Sequence, residues 1–243
     1  MEYQKINTIF KRDSNNIIIP TLFTCDEFEY LKDCKWECTE KIDGTNMRIE
    51  LFKDENDNLI VEYHGKTDRA NIPALLLDRM KELFDNIDFT EIFPSFTKND
   101  TITIYGEGYG KKIQNGGNYI KDGNDFILFD VRYNNFWLRR DALEDIANKL
   151  HIKIVPLIGY MNIQEAIEYV KKGFKSTIAE NKDYDAEGLV LKTPNGLRFR
   201  NGDRIITKIK TCDFNKFKAK YGDDLNVHQE LNVHYEGKVP TKL

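Results

Sequence analysis

Glu40-Lys41-Ile42-Asp43-Gly44-Thr45-Asn46 is the stretch on which the reading of this chain turns. Upstream, Lys35 to Lys41 has the pattern of a strand, and downstream Met47 to Phe52 alternates apolar and polar again. One lysine therefore stands at the end of a strand, immediately before a tight Asp-Gly turn. Taken alone, such a turn is ordinary hairpin composition. Whether Lys41 belongs to a solvated turn or is a reactive amine depends on the stretches that accompany it.

Working outward, Asp54 to Asn58 is a polar turn and Leu59 to His64 returns as a hairpin partner. Ile72 to Ile87 carries Leu75, Leu76, Met80, Leu83 and Phe84 at helical spacing, the stripe of a packed helix. Thr101 to Gly106 is β-branched and ends in Gly106-Glu107-Gly108-Tyr109-Gly110. Phe126 to Tyr133 is the most apolar strand candidate, interrupted by Asp130. Arg139–Leu150 and Asn162–Phe174 read as amphipathic helices, with a strand at Ile152–Leu157 between them. Gly188–Thr193 and Leu197–Arg200 are expected to form a hairpin around Pro194-Asn195-Gly196. Arg204–Lys210 is a strand and Phe214–Lys220 a short basic helix. Before Lys35, an edge strand or arm around Ile17-Ile18-Ile19 leads into a short helix. Strands separated unevenly by helices predict an α+β domain.

The 243 residues can bury a sizeable core, and 40% hydrophobic with 31% charged residues is a globular balance. A net charge of -4 supplies no global attraction to nucleic acid, so any grip on a phosphate backbone needs a local basic patch. No apolar run is long enough to span a membrane, and the first residues lack a signal-peptide layout, so a cytoplasmic location is the expectation. The four cysteines and four histidines lack zinc-ligand spacing. Reduced thiols are expected.

Further signals follow Lys41 in order. Gly106-Glu107 and Phe129-Asp130 come first, then Glu187-Gly188-Leu189-Val190-Leu191-Lys192. Last is Arg200-Asn201-Gly202-Asp203-Arg204, leading into Lys208-Ile209-Lys210. Two lysines at period two share a face of a strand, and parallel ammonium groups against a core are costly without an anionic partner. From Trp36 to Lys220, the series Glu-Lys-Ile-x-Gly-Thr-Asn, Gly-Glu-x-x-Gly-x-x-Ile-Gln and Arg-Asn-Gly-x-Arg resembles the ATP-dependent RNA ligases of the phage nick-sealing and trypanosome editing class. These belong to the covalent nucleotidyltransferase superfamily.

That resemblance implies an adenylation domain of antiparallel sheets flanked by helices (ATP-grasp-like), with a nucleotide cleft between them. It implies residues 1–220 as the nucleotidyltransferase domain and 221–243 as a short tail, without a full OB or helical C-terminal domain. The stretch after Lys210 is shorter than the ~50 residues a second domain needs. Lys41 would attack the α-phosphate of ATP, forming lysyl-AMP, and AMP would pass to an RNA 5′-phosphate before a 3′-hydroxyl displaces it. An ammonium cannot attack, and moving a lysine pKa from ~10.4 to ~7–8 takes roughly 4 kcal/mol. Partial burial beside Lys208 and Lys210 would favour the neutral amine, and the same pair would hold the triphosphate. Glu40 and Asn46 would hold adenosine and the phosphate side, Glu107 the ribose hydroxyls, and Phe129 the adenine. Glu187 would place Mg²⁺ (or Mn²⁺) or orient Lys41. Lys192 matches a functional lysine of the family, although its parity with Glu187 on a regular strand is wrong for a common face. Phe129 and Asp130 would likewise face opposite sides, so only one is expected to touch nucleotide. Arg200 and Arg204 would contact RNA phosphates.

Two departures concern substrate preference. Asp43 stands where nick-sealing members often carry His, and Lys66 in Gly65-Lys66-Thr67, placed by the resemblance among the nucleotide-binding residues, replaces an arginine and loses its bidentate fork, which weakens contacts to a terminal phosphate. The implied substrate is RNA with 5′-phosphate and 3′-hydroxyl ends, nicked or duplex, as in RNA repair. A partner protein is expected to replace the missing C-terminal domain, and a phage or viral origin would place the protein in host cytoplasm. The alternatives are a capping-type guanylyltransferase, a DNA ligase adenylation domain, or a non-catalytic nucleotide- or RNA-binding module.

Overall fold

The structure, a computed structural model, describes residues 1–222. The expected tail at 221–243 lies outside the described residues from 223 onward. Two compact units share the chain. One comprises Met1–Gln4, Ile42–Pro156 and Ser176–Tyr184; the other comprises Lys5–Lys41, Leu157–Lys175 and the described residues from Asp185 to Gly222.

In chain order, β1 (Asn7–Thr8), β2 (Phe10–Arg12), β3 (Ile18–Phe23), α1 (Asp26–Tyr30) and β4 (Trp36–Glu40) lead to Lys41. The other unit then runs through β5 (Thr45–Lys53), β6 (Leu59–His64), α2 (Ala74–Phe84), α3 (Phe89–Ile92) and β7 (Ile102–Gly110). It closes with β8 (Asn124–Tyr133), β9 (Phe136–Trp137), α4 (Arg140–Lys149) and β10 (Lys153–Ile154). The chain returns through β11 (Leu157–Met161) and α5 (Ile163–Lys172), then β12 (Gly188–Lys192), β13 (Ile206–Lys210) and α6 (Thr211–Tyr221).

The unit holding β5 is built on a six-stranded sheet, β10-β8-β7-β5-β6, with β9 paired to β8. Only its β10–β8 pair is parallel. Met47, Ile49 and Leu51 of β5 enter the core with Leu76, Met80 and Phe84 of α2 and Leu143, Ile146 and Ala147 of α4. Burying each large apolar side chain contributes about 1.5–3 kcal/mol. Strand alternation leaves Asn46, Arg48 and Glu50 on the opposite face.

The Lys41 unit has a five-stranded sheet, β1-β13-β12-β4-β11, antiparallel except for β1–β13. Trp36, Cys38, Leu189, Leu191 and Ile209 form its apolar side, packed with Ile163, Ala166 and Val170 of α5. A reciprocal capping box between Asn162 and Glu165 starts α5, an arrangement worth about 1 kcal/mol.

The fold is α+β with mainly antiparallel sheets, as the strand and helix patterning predicts. Local corrections are physical. The turn at Thr193–Gly196 forms, with Gly196 N donating to Thr193 O at 3.0 Å. The partners of β12, however, are β13 and β4, and not Leu197–Arg200. Ile209 offers β12 an apolar neighbour, whereas Leu197 is exposed and its segment folds back through the Arg198–Arg204 bridge. The strand expected at Ile152–Leu157 divides into β10 and β11, which pair in different sheets. β7 continues through Glu107 to Gly110 and does not turn at the glycines.

Candidate active site

Lys41 lies one residue beyond β4, and its backbone N–H donates to Gly188 O at 2.9 Å. That bond extends a ladder in which Thr39 faces Val190 and Glu37 faces Lys192. Across β12, Val190 faces Lys208 and Gly188 faces Lys210. Residues directly opposite share a sheet face. Lys41, Lys192, Lys208 and Lys210 therefore all belong to the side away from the apolar core. Glu40, at 1% exposure, faces the other way, across from Leu189. Lys208 and Lys210 share a face as their period-two spacing suggests, and Glu40 does not lie on it.

Glu187 joins this face through a break in the strand. Gly188 has φ +148°, and a Cβ there would stand 1.9 Å from Ile209 O, so only glycine fits. Without that irregularity Glu187 would point with Leu189 into the core. The sequence parity problem between Glu187 and Lys192 is resolved in this way. Glu187 O accepts from Thr211 N at 2.9 Å, which anchors its backbone to the start of α6.

The Glu187 carboxylate accepts from Lys41 Nζ at 2.5 Å through Oε2 and lies 2.7 Å from Lys210 Nζ through Oε1. The side chains of Lys41 and Glu187 are only 19% and 13% exposed. Burial disfavours the charge on Lys210, but the hydrogen bond and negative charge of Glu187 outweigh it and hold this lysine above its ordinary value. The Glu187 carboxylate, expected to place a metal or orient Lys41, thus stands between Lys41 and Lys210.

In the six-stranded unit, Asn46 and Glu107 are direct cross-strand partners. Gly44 allows the preceding turn to approach them, since a Cβ there would lie 2.3 Å from Gly108 O. Asp43 N donates to Tyr119 Oη at 3.1 Å, and Asn115 Nδ2 donates to the Asp43 carboxylate at 2.8 Å. Neither partner stood out in the sequence.

Phe129 sits at a β-bulge, because Tyr105 pairs with Asp130 while Gly106 pairs with Leu128. The extra residue cancels the parity on which opposite faces were expected. Tyr3 shows the result: its hydroxyl donates to Asp130 at 2.7 Å while its ring packs edge-on to Phe129 at 5.0 Å. Lys66 is exposed in the loop after β6. Arg200 is also exposed, but Arg204 is only 6% exposed. A surface contact to phosphate fits the first arginine and not the second.

The RNA ligase family model matches residues 35–210, a span that holds Lys41, Glu187 and Lys210. The chain belongs to the RNA ligase family. No curated protein matches this RNA ligase family member. Among solved structures it is similar to Naegleria gruberi RNA ligase with PPi, at 21% identity and a TM-score of 0.58, covering 92% of this chain and 60% of that one. A mutant form of that ligase with AMP and Mn gives 18% identity and a TM-score of 0.58, covering 90% and 59%. Another mutant form with ATP and Mn gives 20% identity and a TM-score of 0.56, covering 90% and 60%. At such identities the likeness is one of fold. The family member spans about 60% of the length of the solved ligase chains.

Proposed function

We propose that this chain is the adenylation domain of an ATP-dependent RNA ligase with Lys41 as its nucleophile. The observation that carries the reading is the Lys41–Glu187–Lys210 array on one sheet face. The neutral Lys41 amine attacks the α-phosphorus, a P–N bond forms, the P–O bond to the β-phosphate breaks, and pyrophosphate leaves. The amine gives up one proton before attack and a second after it. The phosphoramidate nitrogen keeps one hydrogen, which can still be donated to Glu187. Lys210 and Lys208 offset the charge on the triphosphate and its leaving group. AMP then passes to the RNA 5′-phosphate, and a 3′-hydroxyl displaces it to form the phosphodiester.

In this reading Asn46 and Glu107 hold the nucleoside, with the ribose hydroxyls on Glu107, and Phe129 stacks on adenine. Lys192 supports phosphate binding, and Lys66 and Arg200 meet RNA phosphates. No group of three His, Cys, Asp or Glu side chains able to hold a metal occurs among the described residues. Glu187 is the carboxylate that would help hold Mg²⁺ or Mn²⁺ once the nucleotide is bound. Such an ion would supply charge neutralisation at the phosphates. RNA with 5′-phosphate and 3′-hydroxyl ends in a nicked duplex is the proposed substrate, sealed with the help of a partner protein.

Incubation with α-labelled ATP and Mg²⁺, followed by denaturing electrophoresis and mass analysis, tests the reading. A covalent AMP adduct in wild type that is absent in Lys41→Ala is the expected result. Transfer from GTP instead would point to a capping-type guanylyltransferase. No adduct with either nucleotide would leave a binding module.

A further inference from the structure

Arg48 is a charged residue in the middle of β5, and it is only 1% exposed. A buried guanidinium is costly unless its donors are used. Here each of its nitrogens has a partner. Nε donates to Glu50 Oε1 at 2.9 Å, Nη1 donates to Gly65 O at 3.1 Å, and Nη2 pairs with the Asp68 carboxylate. Two of these three partners lie on one loop, and they bracket Lys66 and Thr67.

The rest of that loop is tightly folded. Ala70 N donates to Thr67 O at 3.1 Å, and a Cβ on Gly65 would come within 2.9 Å of the Ala70 methyl group. His64, the last residue of β6, is the cross-strand partner of Arg48, so the loop leaves the sheet beside the guanidinium. Lys66 and Arg69 remain exposed. Asn46 and Arg48 lie two residues apart on one face of β5.

We infer that Arg48 is a positioning residue that fixes the Gly65–Asp68 backbone so that Lys66 is presented to an RNA phosphate. This rests on the proposed role of Lys66. An apolar side chain would fill the same space, but the guanidinium fork sends directional bonds to both sides of the lysine. Holding the loop before RNA arrives reduces the ordering cost of each phosphate contact.

Asp68→Asn tests the inference, because it weakens one tether at an exposed side chain and leaves the buried guanidinium its other partners. Arg48→Lys, which keeps the charge but not the fork, is the second variant. Two readouts serve: amide hydrogen exchange across residues 65–70, and the Kd for a nicked RNA duplex carrying a 5′-phosphate. Asp68→Asn is expected to speed exchange about tenfold and weaken RNA binding about fivefold. Lys66→Ala is expected to weaken binding at least as much, and adding Asp68→Asn to it should change Kd by less than about twofold. Arg48→Lys should follow Asp68→Asn in both readouts.

Unchanged exchange, or effects on Kd that multiply in the double variant, would overturn the inference while leaving the ligase reading intact. A wild type that forms no AMP adduct, yet whose Kd values follow the expected cycle, would sink the ligase reading and leave the role of Arg48 standing.

Discussion

Lys41 donates a 2.5 Å hydrogen bond to Glu187, whose second carboxylate oxygen lies 2.7 Å from Lys210. One carboxylate thus serves two ammonium groups on the same sheet face. Replacing it with a neutral isostere leaves both cations facing an amide. Glu187→Gln is expected to slow formation of the AMP adduct about 10²-fold at saturating ATP. Single-turnover label transfer measures the change, and a rate within twofold of wild type would remove Glu187 from the chemistry.

Gly188 sets the direction of that carboxylate. A methyl group there would stand 1.9 Å from Ile209 O at a φ of +148°, so β12 and β13 would have to separate. Gly188→Ala is expected to cost about 2 kcal/mol or more, and to lower adduct formation by moving Glu187. Gly117→Ala is the control: a Cβ at Gly117 meets nothing within 4 Å, and its effect should stay within about 0.5 kcal/mol. Denaturant midpoints separate the two.

Lys210 makes stability depend on alkaline pH. Burial opposes its charge, but Glu187 more than compensates, so its folded-state pKa lies above the unfolded one. Its contribution is therefore full below the ordinary lysine value of about 10.4 and is lost as pH rises through the higher folded value. Lys210→Met should be less stable than wild type near neutrality, with the gap narrowing above about pH 10.4. Denaturant unfolding of both proteins from about pH 8 to about pH 11 checks the sign.

The four cysteines are free, and their surroundings set an order of reactivity. Burial pushes Cys25 up to about 11 and Cys38 up to about 12. Cys34 is exposed. Because the thiolate is the reactive form, iodoacetamide should modify Cys34 first and Cys38 only after unfolding. Peptide mass mapping over time reports the order, and early labelling of Cys38 would contradict its packing beside Trp36.

Much of the strand pattern was legible along the chain. Leu59–His64 forms the strand its alternation predicts, and Leu76, Met80 and Phe84 pack as their helical spacing requires. Such patterns are local records of which face is buried. β11 was not legible, because Leu157 and Tyr160 are exposed and only Ile158 and Met161 turn towards the core, while its place is set by pairing with Trp36–Thr39. The bulge at Phe129 was equally hidden. It is a property of how β8 registers against β7, and it turns a parity argument from one residue sequence into the wrong face.

From the order of residues alone came the alternation of the strands, the helical stripes, the lysine at a strand end, and the paired lysines of β13 on one face. Periodicity depends on neighbours a few positions apart, so it needs no partner strand to be read. Tertiary structure decided which charges meet. Lys41 and Glu187 are separated by 146 positions and reach 2.5 Å only because β12 lies between β4 and β13 and breaks its alternation at Gly188. No local propensity encodes that meeting, since it depends on strand register and on a glycine pressed against a neighbouring carbonyl.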